Sequence, residues 1–270
     1  MPASESGGSA PWRSLFLSHV SKMDSPEFVF STLRPSEDEN SPMPYVPRAR
    51  YCVYRGMWAE PPRNKYNDAP QNELVYESDL LTLTTDARME KVSEIFASSG
   101  ETRHEGAQSG GGGPVEAVFY VRETMTQWRF KGKAYIVGPD IESSSPGGLM
   151  VKRKVEERMR PLRKEGLGDW SWAKEVTAHF GNLSPGMRGS FKNPIPGSPV
   201  SVAPSDPGLR LGQKVTDLHD KIARDHFRVV LIVPDEVDQV DLSDSERARR
   251  WQFQFTVDGL GSWKEEEVWP

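Results

Sequence analysis

The sequence predicts a mainly β fold (α+β): a closed or nearly closed antiparallel barrel with a few helices outside it. Two observations carry that expectation. Six or seven short runs rich in β-branched and aromatic residues are separated by turn residues, while helical spacing is confined to a few segments. Glycine and proline are also abundant, 23 and 22 in 270 residues, or one residue in six, against an average of about 12 %. They fall in clusters, so the chain reads as compact segments joined by long loops.

Residues 1–10, rich in Ser, Gly and Ala, read as a disordered N-terminus, and 11–270 as a single domain. Ser9 to Val20 has a Ser cap, an early Pro11, and Trp12, Leu15, Phe16 and Val20 on one face, the pattern of an amphipathic helix. Pro35, Pro42, Pro44 and Pro47 make 35–47 an extended linker. Arg50 to Trp58 reads as a strand. Leu80 to Thr85 is a second, followed by a switch to helical spacing through Met89, Val92, Ile95 and Phe96. Residues 98–114, with Gly110 to Gly113 in succession, read as a flexible insertion. Glu116–Val121 and Gln127–Val137 look like an antiparallel pair, and 150–180 like charge-laced helix. Six prolines make 185–207 a loop, unsuited to helix or central strand. Phe227–Val233 is the most apolar strand. The chain closes on a hairpin, Trp251–Val257 against Trp263–Trp269, turning at Asp258-Gly-Leu-Gly261.

Composition narrows the function. With 34 basic and 39 acidic residues the net charge is −5, which does not favour nucleic acid or an acidic membrane surface. Mean hydropathy is −0.62, no window approaches a membrane span, and no secretory signal is visible, so a cytoplasmic location is expected. Cys52 is the only cysteine, which excludes an internal disulfide and fits a reducing compartment. The five histidines show no metal-binding spacing, so no metal is expected. The basic run from Lys152 to Lys164 alternates with glutamates and reads as a solvated helix face. The tryptophans, Trp58, Trp128 and Trp263 above all, read as core.

One local conflict stands out. At Thr84-Thr85-Asp86-Ala87-Arg88-Met89-Glu90-Lys91 a strand ends and a helix begins, and two cations fall where the helix dipole disfavours them. Asp86 and Glu90 partly offset this. A bound anion would resolve it, because hydroxyls, free amides and two cations would converge on one point. The alternative is that both side chains extend into water. Arg50 and Arg55, at either end of an apolar strand, fit a ligand clamp or a salt bridge.

These segments together resemble the pyridoxamine 5′-phosphate oxidase-like family of FMN-binding split barrels, from about Ala10 to Pro270. Arg50-Tyr-Cys-Val-Tyr-Arg55 is similar to the family strand with a basic residue at each end. Thr84 to Lys91 resembles its Thr…Ser-x-Lys phosphate turn, with Met89 where Ser is common. Gln127-Trp-Arg-Phe-Lys-Gly132 is similar to its Gln-x-Arg-x-x-Gly strand, and Arg250-Trp251 with Trp263 to Pro270 to its closing hairpin. The resemblance implies a six-stranded split barrel, an FMN cofactor and a homodimer with the flavin at the interface. It implies that Arg50, Arg88 and Lys91 hold the phosphate, Thr84 and Thr85 add hydroxyls, Gln127 meets the ring, Arg250 reaches in from the hairpin, and Arg55 lies near the flavin or holds an anionic substrate.

The substrate motif departs from the family. Glu246-Arg247-Ala248 lacks the His of Arg-x-His, and Glu267-Val-Trp-Pro270 lacks the terminal Arg. Ser184 and Arg188 are the polar residues left as substrate candidates. The expected function is an FMN-dependent oxidoreductase of an unidentified small molecule. The alternatives are a non-catalytic flavin carrier, sensor or dimeric scaffold, and a barrel with no flavin.

Overall fold

The computed structural model describes residues 8–38, 40–100, 106–163, 167–204, 206–256 and 262–270. In chain order these form α1 (Arg13–Val20), β1 (Glu27–Pro35), β2 (Tyr45–Val53), β3 (Tyr76–Ser78), β4 (Leu81–Asp86), α2 (Glu90–Ala97), β5 (Gly110–Val121) and β6 (Thr126–Val137). There follow α3 (Pro146–Glu156), β7 (Met159–Pro161), α4 (Trp172–Gly181), α5 (Pro185–Ser190), α6 (Lys221–His226), β8 (Phe227–Asp241), β9 (Arg249–Thr256) and β10 (Ser262–Val268).

Eight strands share one antiparallel sheet in the order β10-β9-β8-β6-β5-β1-β2, with β4 also on β8. The expected six become eight because β8 is long enough to serve two partners. Its first half, Phe227–Ile232, pairs with β4, and its second half, Glu236–Asp241, with β9. The other edge of β8 runs along β6, where the register shifts at Lys131/Gly132 opposite Pro234. Six strands nonetheless make the ring. Beyond Val53 the chain continues alongside β4, with Arg55 N bonded to Thr82 O (2.9 Å), Thr82 N to Gly56 O (3.0 Å) and Trp58 N to Leu80 O (2.9 Å). That short seam closes β2-β1-β5-β6-β8-β4 on itself, and the β9-β10 hairpin stands outside. A separate ribbon pairs β3 with β7.

Two cores follow from this geometry. Inside the ring, Phe28, Phe30, Phe119, Trp128 and Phe130 pack around Trp12 and Phe16 of the N-terminal segment, which plugs one end. Outside it, Val229, Leu231 and Val233 are covered by α3, α4 and α6 through Val151, Val155, Val176 and Ala223. Residues 227–234 are buried on both faces, which is why that strand reads as an unbroken apolar run. Among the described residues no helix is long and apolar enough to cross a membrane.

Several expectations need correcting. The supposed linker 35–47 is the tip of a hairpin: β1 ends at Pro35 and β2 begins at Tyr45, with Pro47 opposite Leu33. Pro47 is tolerated because this part of β2 pairs only with β1, leaving its missing N–H on the open edge. Strand β1 carried a clear signal, since Phe28, Phe30 and Thr32 are buried at period two. The glycine run expected to be a flexible insertion opens β5 and is buried. Gly111 and Gly112 have φ of +99° and +105°, and a Cβ on Gly113 would lie 2.6 Å from Ile95 O. Only glycine fits there, so the residues that read as loop are required by close packing under α2. Residues 150–180 are two helices separated by β7, and the proline segment contains helix α5, with Pro185 in its first turn. Leu15 is half-exposed while Trp12, Phe16 and Val20 are buried. The turn at 258–261, most of 1–10 and residues 101–105 lie outside the described residues.

Candidate functional site

A cleft of about 270 Å³ opens beside the seam, between β2 and its extension on one bank and the end of β4 with the start of α2 on the other. Four of the sequence-derived residues meet there: Arg55, Thr84, Thr85 and Lys91. The third wall comes from the proline-rich segment, through Met187, Ser190, Phe191, Asn193 and Pro196.

The charges in this cleft are unbalanced. Lys91 Nζ donates to Thr85 Oγ1 at 3.1 Å, and among the described residues it makes no ion pair. Among the described residues the Arg55 guanidinium hydrogen-bonds only Met187 Sδ, at 3.9 Å, and its Nε is buried without a hydrogen-bond partner. Burial pushes the pKa of both groups down from its ordinary value, with Arg50 adding to the effect on Lys91. Helix α2 begins here with Met89 in the capping position and no side-chain cap, leaving its first turn open. Two partly buried cations, two threonines and an uncapped helix start make a cradle for an anion. Asp86, which also lines the cleft, is neutralised by Arg88 at 2.7 Å. Cys52 lines the same bank, and burial pushes its thiol up.

The remaining sequence-derived residues lie elsewhere. Arg50 donates to Glu94 Oε2 at 2.7 Å and to Thr32 Oγ1, so its charge is spent on a carboxylate that is 1 % exposed. Arg88 is committed to Asp86 and to backbone carbonyls. Gln127 and Arg250 are register partners of Val240 on either side of β8, far around the sheet from the cleft, and Arg250 bonds Asp238. Ser184 caps α5 by accepting from Met187 N, and Arg188 is buried with Nη1 on Thr216 O at 3.4 Å. Neither substrate candidate lines the cleft. The wall residues that do line it were missed individually, although their segment was singled out for its prolines; which side chains turn inward depends on the unforeseen helix α5.

Behind Arg55 lies a buried acid–base pair. His179 stacks on Trp58 with ring planes 6° apart, and its Nε2 is 3.9 Å from Glu175 Oε1. Burial pushes Glu175 up to about 7, with Glu60 adding to it, despite a hydrogen bond from Asn72. Burial and the charge of Arg55 push His179 down to about 4. The two act on stability in opposite senses. His179 costs stability as pH falls from its ordinary 6.5 towards 4, because the unfolded chain takes the proton first. Glu175 costs stability as pH rises from 4.5 to 7, because the folded chain keeps the proton longer. Glu175→Gln is therefore expected to melt above the parent at pH 8, with the gap shrinking towards pH 5. A gap that stays constant across that range would show that Glu175 does not titrate this way.

Comparison with known proteins bears on the cleft directly. Residues 9–138 match the family model described as pyridoxamine 5′-phosphate oxidase, FMN-binding domain. Over that stretch the chain is of the FMN-binding, pyridoxamine 5′-phosphate oxidase type. The match runs from α1 through β6 and includes Arg55, Thr84, Thr85, Lys91 and Gln127, but neither the proline-rich wall nor Arg250. The fold resembles that of a pyridoxamine 5′-phosphate oxidase-related, FMN-binding protein from Nostoc punctiforme, at 18 % identity and a TM-score of 0.57, covering 97 % of this chain and 100 % of the other. An uncharacterized protein of Saccharomyces cerevisiae is 22 % identical over 97 % of this chain and 98 % of its own length. A more distant likeness, to PhzG from Burkholderia lata in complex with tetrahydrophenazine-1-carboxylic acid, has 13 % identity and a TM-score of 0.41, covering 100 % of this chain and 97 % of the other.

Proposed function

We propose that the chain is an FMN-dependent oxidoreductase acting on a small molecule, with the FMN phosphate held in the cleft by Lys91, Thr85, Thr84 and the open start of α2. The observation that carries this reading is the pair of cations, Arg55 and Lys91, that form no ion pair among the described residues, in one cleft of a domain whose family binds FMN. An anion bound between them would restore the charge balance and supply the partner that Arg55 Nε lacks. When bound, FMN supplies hydride or electron transfer. The chain's own residues would orient it: Lys91 and the threonines fix the phosphate end, and Arg55 places a positive charge on the opposite bank of the cleft. Met187, Phe191 and Pro196 give the opposite wall an apolar surface that excludes water.

The scattered positions of Gln127 and Arg250 support a homodimer. One chain presents them on the outer sheet face, away from its own cleft, so a second copy would deliver them to that cleft across a twofold axis. The reading is tested on the purified protein. It is expected to be yellow with bound FMN, to elute as a dimer, and to show bleaching and recovery of its flavin bands with a donor and an acceptor. A protein that neither retains nor takes up FMN would refute the cofactor assignment. One that binds FMN but cycles with no donor would be a carrier.

A further inference from the structure

We propose that Arg88 is a positioning residue that latches the proline-rich wall onto the cleft floor, and is not a ligand of the cofactor phosphate; this rests on the FMN reading of the cleft. Its donors are largely consumed. Nε and Nη2 bind the two oxygens of Asp86 at 2.9 and 2.7 Å, while its backbone N–H donates to Asp86 Oδ1 at 2.8 Å. Nη1 donates to Asn193 O at 3.0 Å, and Nη2 also to Phe191 O at 3.2 Å. Of five N–H donors on a guanidinium, this leaves one uncommitted. The side chain is 14 % exposed and does not line the cleft.

The carbonyls it holds belong to the wall itself. Phe191 and Asn193 both line the cleft, and the backbone around them is gripped in register. Phe191 O also meets His226 Nδ1 at 2.7 Å, and His226 O in turn accepts from Ala87 N at 2.7 Å. Lys192 O, between them, accepts from Arg210 N and Gln213 Nε2. Three consecutive carbonyls are thus captured, and Arg88 holds the two that flank the middle one. The outcome is a wall set at a fixed distance from Lys91 and Thr85, and a neutralised Asp86 that no longer repels an anion beside it. The guanidinium alone joins the wall to Asp86 among these contacts. The planar fork can grip a carboxylate with one edge while reaching carbonyls with the other; a lysine keeps the charge but has a single ammonium.

Arg88→Lys separates the two roles. As a latch, it is expected to speed hydrogen exchange of the 190–196 amides in the flavin-free protein about tenfold or more, with β4 and β8 amides unchanged. FMN and riboflavin, titrated separately, are then expected to weaken by the same factor, about three- to tenfold. Unchanged exchange in 190–196 would overturn the proposal. So would a loss of FMN affinity with riboflavin binding intact, the mark of a phosphate ligand. If Arg88→Lys does not fold, Asp86→Asn with Arg88→Gln, an uncharged pair, carries the same measurements. A parent protein that binds neither flavin would defeat the cofactor reading, while the exchange result would still decide whether Arg88 is the latch.

Discussion

Lys91→Glu protein is expected to purify colourless and to bind added FMN at least a hundredfold more weakly than the parent. Lys91 Nζ has one hydrogen-bond partner, Thr85 Oγ1, and no ion pair among the described residues, so its charge is available to a phosphate. A charge-assisted hydrogen bond contributes about 1.5–3 kcal/mol, and each ~1.4 kcal/mol is a factor of ten in affinity. Deleting that bond costs about ten- to a hundredfold; replacing it with a negative charge adds repulsion in a partly desolvated site. The fold should tolerate Lys91→Met, because Lys91 forms no ion pair among the described residues whose loss would strand a partner charge. Fluorescence titration of parent, Lys91→Met and Lys91→Glu with FMN and with riboflavin measures the effect. Equal FMN affinity across the three would remove Lys91 from the phosphate site.

Glu94→Ala is expected to cost about 3–5 kcal/mol of stability and to lower the melting temperature by roughly 10 °C or more in a chain of this size. Glu94 is 1 % exposed and receives both Arg50, at 2.7 Å, and Thr32. Removing it strands a guanidinium that is itself only 22 % exposed, and an uncompensated buried charge is among the costliest defects a fold can carry. The double variant Arg50→Ala with Glu94→Ala should recover part of the loss by removing the stranded charge. A single variant that melts within 2 °C of the parent would show that Arg50 finds another partner. The pair also explains why Arg50, well placed by motif, does not reach the cleft: its charge is matched to an acid on α2.

The contrast between Arg50 and Arg55 shows what could be read from the sequence. Both were visible as cations flanking one strand. Their roles part because Glu94, 44 residues from Arg50, sits on a helix laid across β1 and β5, whereas among the described residues no carboxylate pairs with Arg55. Partner choice over such separations is a property of the packed chain. The barrel itself was largely legible, since β4, β5, β6, β8 and the closing hairpin follow hydrophobic runs bounded by turns. What escaped was structure built from residues with poor strand propensity. Gly110, Gly111 and Gly113 enter β5 because α2 and the turn after it press too close for any side chain, and Pro47 sits in β2 because that edge is open. Arg88 was legible as a cation at a helix start. Besides Asp86 its partners are carbonyls of Phe191 and Asn193, more than a hundred residues on, and no local pattern encodes where that segment passes.

The seam between Gly56 and Thr82 gives the cleft a mechanical meaning. Elsewhere the ring is held by strand ladders, the shortest being β1 on β5 with three register pairs, and here it is fastened by a few backbone bonds between β4 and the chain beyond β2. Arg55 stands on one shore of that join, with Lys91 and Thr85 on the other. A phosphate-bearing tenant lodged between them would rivet this short join, and the tightness of the barrel would then become a measure of its occupancy.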